Sequence, residues 1–171
     1  MRRPRSAALA VFLAVGVVTP AGVAGQGPPT APGFRVRLFD STRVIDSREL
    51  TGTRVMVLRF QASYCRPCAQ ESPAFGRLVE RYRRRGVEFL AVHVQDTVAD
   101  TRRFIRAHRA AYPVALDPRL SIGNQFGFKG TPYTVVVDLK GEMVARIHGV
   151  SALGRLARVL DEALRQSAPR Q

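Results

Sequence analysis

The segment Phe60-Gln61-Ala62-Ser63-Tyr64-Cys65-Arg66-Pro67-Cys68 joins two different patterns. Upstream, Val55 to Phe60 is rich in β-formers and predicts a buried central strand. Downstream, Cys65 to about Arg85 carries Leu78, Val79 and Tyr82 at helical spacing and meets its stop at Gly86. Pro67 falls in the first helical turn, where its missing N–H costs nothing. Pro73, inside the helix, predicts a kink. Cys65 and Cys68, the only two cysteines of the chain, therefore lie where a strand hands over to a helix.

That placement has chemical consequences. Unpaired N–H groups and the helix dipole favour an anion at a helix N-terminus, and thiols held there fall to pKa values of about 3.5–7.5. Residues three apart share a helix face, so Cys68 is within disulfide reach of Cys65 and more enclosed. Cys65 is the expected nucleophile and Cys68 the resolving thiol. Arg66 either lends positive charge to the sulfurs or points into solvent. A disulfide closing so short a loop adds little stability, which argues for a redox role over a structural one. A zinc site needs further ligands, and His93, His108 and His148 do not stand at zinc-ligand spacing; each reads as a structural histidine.

Outward from the junction the pattern alternates. Phe34 to Phe39 predicts a half-exposed strand, Asp40-Ser41 a turn, and Arg43 to Ile45 its return. Glu49 to Gly52 reads as a short turn. Val87 to Val94 is the next buried strand, Val98 to about Ala111 a helix with Phe104, Ile105 and His108 on one side, Val114 to Leu116 a short strand, and Ser121 to Phe126 a short helix. Tyr133 to Val137 and Glu142 to Ile147 form a hairpin about Lys140-Gly141. Ala152 to about Arg165 closes the chain as an amphipathic helix with Leu153, Leu156, Val159, Leu160 and Leu164 as its stripe. The expected architecture is α/β: one central mixed sheet flanked by helices, with an N-terminal β-hairpin.

The 171 residues are one-domain length, 46% hydrophobic and 23% charged, enough apolar side chain for a core and too little charge for wholesale disorder. Residues 1–25 carry Arg2, Arg3 and Arg5 before the uncharged run Ala7 to Val18, with small residues at Gly22, Ala24 and Gly25. This is the layout of a signal peptide, or of an N-terminal membrane anchor if uncleaved. Residues 26–33, with Pro28, Pro29 and Pro32, read as a Pro-rich linker or lead-in. Residues 34–166 form the domain and 167–171 a tail. The formal charge is +14, with 25 of 27 basic residues Arg. These are scattered over every element without aromatic interleaving, so no nucleic-acid partner is expected. The cluster Arg81, Arg83, Arg84, Arg85 reads as a solvated helix end.

The chain resembles the thioredoxin superfamily, and more closely its exported TlpA/ResA-like branch. The resemblance rests on Ala31-Pro32-Gly33-Phe34, on residues 60–68, on Glu71 and Pro73, on Phe126-Gly127-Phe128-Lys129-Gly130-Thr131-Pro132 and on Asp138 through Gly141. It implies a thioredoxin-like fold in which Val98 to Phe126 is the branch's helix–strand insertion. It also implies a cis bond at Thr131-Pro132 lying against the CxxC, with the Thr131 backbone pairing with an extended substrate. Tyr64, Arg66, Pro67, Thr131 and Pro132 are then the substrate-binding residues, and Cys65, Cys68 and Glu71 the catalytic ones. Glu71, one turn past Cys68, is the expected acceptor of the Cys68 proton.

Two positions depart from the family. Where it has two tryptophans, Tyr64 and Gln61 stand here; Tyr64 keeps an aromatic wall and Gln61 does not. Six residues before the first cysteine, where thioredoxin has a buried carboxylate, this chain has Arg59. Arg59 either pairs with Glu71 beneath the disulfide or snorkels to the sheet edge with Glu71 solvated; the second is the expectation.

The resemblance implies an exported protein-disulfide reductase in the periplasm or on the outer face of the cytoplasmic membrane. It would be monomeric and re-reduced by a membrane electron donor, with targets such as apocytochrome c. No organic cofactor or metal is required, since the cysteine pair carries the electrons. The alternatives are a disulfide-forming oxidase on the same residues, a peroxiredoxin-like peroxidase, and a thiol-based metal carrier or adaptor. The peroxidase is disfavoured because Ala62 stands where those enzymes have Thr or Ser.

Overall fold

The computed structural model describes residues 27–150 and 152–166. The signal or anchor segment at 1–25 and the tail at 167–171 expected from sequence lie outside the described residues. A small antiparallel ribbon opens the domain: β1 (Arg35–Arg37) pairs with β2 (Val44–Asp46), Arg35 opposite Asp46. There follow α1 (Ser47–Leu50), β3 (Val55–Gln61), α2 (Arg66–Arg83), β4 (Val87–Val94), α3 (Val98–His108), β5 (Val114–Asp117), α4 (Ser121–Gln125), β6 (Tyr133–Val137), β7 (Met143–His148) and α5 (Ala152–Gln166). The five-stranded sheet has the order β5-β4-β3-β6-β7. Strands β3, β4 and β5 run parallel, while β6 and β7 run antiparallel to their neighbours. This is the mixed sheet the alternating pattern predicts.

β3 is the centre, and all seven of its residues are buried. Its side chains alternate across the sheet. Met56, Leu58 and Phe60 join Phe34, Leu90, Phe104, Phe126 and Tyr133 on one side. Val55 and Val57 join Phe75, Val79, Tyr82, Phe89, Leu156 and Leu160 on the other, under α2 and α5. The buried stripe of α2 is Cys68, Ser72, Phe75, Val79 and Tyr82, so the helix turns its cysteine inward; Leu78 is only partly buried. The helix continues through Pro73, which is exposed, and ends before Gly86, whose φ of +89° suits glycine alone. In α5 the buried residues are Ala152, Leu156, Leu160 and Ala163, with Leu153, Val159 and Leu164 half-buried beside them.

One short element differs from expectation. Residues read as a turn at 49–52 begin two residues after a four-residue helix has started at Ser47. Asp46 caps it, its carboxylate accepting the Arg48 N–H at 3.1 Å. The lead-in is docked on the β6–β7 turn: the Ala31 N–H donates to the Gly141 carbonyl and the Met143 N–H to the Pro29 carbonyl. Among the described residues no helix is long and apolar enough to cross a membrane.

The parallel strands β3 and β4 end at one edge of the sheet, and antiparallel β6 begins there, Tyr133 opposite Phe60. That edge gathers the Ser63–Cys68 loop, the Gln95–Thr97 loop and Thr131-Pro132.

Candidate active site

Cys65 is the N-cap of α2 rather than its first helical residue. Its backbone is extended (φ −83°, ψ 95°), and its Sγ accepts the Cys68 N–H at 3.2 Å. The sulfur thus takes the place that a Ser or Asp oxygen usually fills at a helix start. Cys65 and Cys68 are joined as a disulfide with Cα atoms 5.2 Å apart. Cys68 is fully buried and Cys65 is 5% exposed, so an incoming group meets Cys65 first. On reduction, the amide and the helix dipole that face Cys65 Sγ favour its anionic form.

Arg59 does not snorkel. Its side chain is 0% exposed, and its Nη2 donates to Glu71 Oε2 at 2.6 Å. β4 and β6 flank β3 on both sides and α2 covers it, so no edge is within reach of the side chain. The guanidinium also lies 5.2 Å from the centroid of the Phe75 ring. Its Nε and Nη1 have no partner among the described residues. Glu71 is 16% exposed and so keeps a route to water.

A second buried polar group supports the loop before Cys65. Asp96 Oδ2 accepts the Ser63 N–H at 2.7 Å, and Oδ1 accepts the Ser63 hydroxyl at 2.7 Å. His93 Nδ1 stands 2.7 Å from the same Oδ2. The Gln61 amide donates to His93 Nε2 at 2.8 Å, which leaves the neutral ring to donate from Nδ1 to Asp96. Burial pushes the His93 pKa below the usual histidine value, against the pull of Asp96. Tyr112 bridges Gln61 to Ser72 of α2. His93 is a structural histidine, as its sequence context predicts. Ser63 and Tyr112 had no local signal, because their partners are 30 or more residues away; Asp96 has His93 three residues before it, but its other partner, Ser63, is 33 residues away. The one hint was a polar pair, Gln95-Asp96, directly after an apolar strand.

The remaining expected residues line the same edge. Tyr64 is 64% exposed and walls a cleft of about 310 Å³ with Ser63, Asp100, Arg103, Phe104 and His108. Arg66 is exposed, Pro67 half-buried and Pro132 buried. The Thr131-Pro132 bond is cis. Tyr133 fixes the strand start after it, stacking on Phe60 and donating its hydroxyl to the Phe126 carbonyl at 2.9 Å. Burial raises the pKa of that phenol. Among the described residues no three His, Cys, Asp or Glu side chains are grouped as a metal site would group them. The edge therefore presents a disulfide whose Cys65 is slightly exposed and whose Cys68 is fully buried, and an ion pair one turn beyond it.

The sequence matches the AhpC/TSA family over residues 29–146. It is 32% identical over 104 residues to the thiol-disulfide oxidoreductase ResA of Halalkalibacterium halodurans, covering 61% of this chain and 58% of that protein. It is 29% identical over 119 residues to the ResA of Bacillus thuringiensis, covering 70% and 68%. The chain thus spans less than two thirds of the first of these relatives. A solved structure of a proposed thiol:disulfide interchange protein DsbE from Chlorobium tepidum superposes with a TM-score of 0.72 at 26% identity, covering 81% of this chain and 98% of that one. The fold is thioredoxin-like.

Proposed function

Because this chain belongs to the AhpC/TSA family, thioredoxin-like in fold, we propose that it is an exported thiol–disulfide oxidoreductase that reduces protein disulfides through Cys65 and Cys68. The observation that carries this is the Cys65 sulfur, which caps α2 and accepts the Cys68 N–H while its partner sulfur is enclosed. The ResA relatives named above support the reaction class.

In the reduced protein the Cys65 thiolate attacks one sulfur of a substrate disulfide. A Cys65–substrate bond forms, and the other substrate sulfur leaves as a thiolate. Cys68 then gives its proton to Glu71 and attacks Cys65 Sγ. The Cys65–Cys68 bond forms, and the substrate leaves with both sulfurs reduced. Two electrons pass from the cysteine pair to the substrate, and no organic cofactor or metal takes part. The Thr131 backbone, beside its cis-proline, pairs with the extended substrate segment, and Tyr64, Arg66 and Pro67 form the rest of the contact. Residues 1–25 deliver the domain to the periplasm or the outer face of the cytoplasmic membrane. There the monomer is re-reduced by a membrane donor and serves substrates such as apocytochrome c.

Cys68→Ser traps the intermediate. Incubated with exported proteins, it retains a reducible covalent partner through Cys65; recovery of none contradicts the mechanism. The Cys65–Cys68 potential against glutathione sets the direction. A value near that of thioredoxin, about −270 mV, is expected, and one near that of DsbA, about −120 mV, would make the protein an oxidase.

A further inference from the structure

We propose that Arg59 is a positioning residue for the resolving half of the reaction, a fixed buried cation around which negative charge moves from the Glu71 carboxylate to the Cys68 sulfur. This rests on the reading of Cys68 as the resolving thiol. Arg59 occupies the face of β3 that also carries Val55 and Val57, and α2 covers that face. The guanidinium touches α2 twice, at Glu71 through a 2.6 Å hydrogen bond and over the Phe75 ring. Those residues follow Cys68 by three and seven positions. Cys68, Ser72 and Phe75 share the buried stripe, and at about 1.5 Å of rise per residue Glu71 is roughly 4.5 Å along the axis from Cys68.

Arg59 is fully buried, and Glu71 is its one ion-pair partner among the described residues. Removing the counter-charge of a buried cation is costly. Protonation of Glu71 would do that, unless a new anion arises beside the same guanidinium in the same step. The transfer from Cys68 supplies one: Cys68–SH and Glu71–COO⁻ become Cys68–S⁻ and Glu71–COOH. Charge is relocated around the cation rather than lost. The guanidinium also keeps two N–H positions, Nε and Nη1, without a partner. When the Cys68 thiolate displaces the substrate, that anion is consumed and the substrate sulfur leaves as a thiolate. Glu71, still partly open to water, returns its proton to the leaving sulfur or to solvent. The ion pair closes again beneath the disulfide, the state the structure holds.

Ellman's reagent separates the two halves, since the reduced protein releases one thionitrobenzoate when Cys65 attacks and a second when Cys68 resolves. In stopped flow, Arg59→Met is expected to slow the second release at least tenfold while changing the first less than twofold. Arg59→Lys, which keeps the charge, recovers part of the loss. Glu71→Gln slows the second release alone, and Arg59→Met/Glu71→Gln is no slower than the worse single variant, because the two residues act as one unit. Equal slowing of both releases by Arg59→Met, an unchanged second release, or additive losses in the double variant would each overturn the proposal. If Arg59→Met does not fold by near-ultraviolet circular dichroism, Arg59→Lys and Arg59→Gln carry the comparison: loss with Gln but not Lys supports it, and equal rates overturn it. A wild-type protein that releases a single equivalent refutes the dithiol reading itself, and the charge-relay reading falls with it.

Discussion

The Arg59–Glu71 pair makes the two single substitutions unequal in their effect on stability. Glu71→Ala leaves a guanidinium that is 0% exposed without its counter-charge. Breaking a buried pair from one side costs about 3–5 kcal/mol, and the 16% exposure of Glu71 places the expectation at the lower end, about 3 kcal/mol. Arg59→Met removes the buried charge, and with it two nitrogens that have no partner among the described residues; the carboxylate left behind can turn to water. What is lost is the pairing and the contact with Phe75. The gain and the losses offset one another to within about 1 kcal/mol. In the Arg59→Met background, Glu71→Ala should cost under about 1 kcal/mol, a coupling of roughly 2 kcal/mol. Urea unfolding of the oxidised proteins measures all four corners of the cycle. For a domain this size Glu71→Ala should also lower Tm by roughly 10 °C. If Arg59→Met proves as damaging as Glu71→Ala, or if Glu71→Ala costs the same in both backgrounds, the buried-cation reasoning is wrong.

Further predictions concern the polar support of the loop and the core. Burial lowers the His93 pKa from 6.5, so the unfolded chain takes up a proton before the folded one does. Stability should be full above pH 6.5 and fall as the pH drops below it, and His93→Gln should flatten that limb in urea midpoints taken from pH 8 to 5. Asp96→Ala strips acceptors from the Ser63 N–H, the Ser63 hydroxyl and His93. It should cost about 3 kcal/mol and loosen the loop, slowing the first thionitrobenzoate release as well. Leu156→Ala, at a fully buried position under the sheet, should cost about 2–5 kcal/mol in denaturant and leave Cys65 alkylation rates unchanged.

The sheet and the cysteine junction could be read from residues alone, because both are local. Val87 to Val94 is a run of β-formers closed by Gly86 on one side and Gln95-Asp96 on the other, and the strand has those bounds. Cys65-Arg66-Pro67-Cys68 announces a helix start through Pro67, and the helix begins there. What stayed hidden depends on the third dimension. A lone Arg at position 59 of an apolar strand suggests an edge; only the order β4-β3-β6 makes that strand central and forces the side chain onto Glu71. The Ser63–Asp96–His93–Gln61–Tyr112–Ser72 chain of hydrogen bonds unites four separate segments, and no spacing rule connects them. The helix at Ser47–Leu50 has no separate start signal in the sequence, because its cap, Asp46, also ends a strand.

The proposed chemistry depends first on the sulfur that caps α2. Its direct test is the rate at which iodoacetamide alkylates Cys65 in the reduced Cys68→Ser protein across pH. We expect alkylation near neutral pH clearly faster than that of a free model thiol, holding down to acidic pH as the thiolate persists. A rate no greater than the model thiol's, rising only around its ordinary pKa of about 8.5, would contradict the assignment of Cys65 as an activated nucleophile.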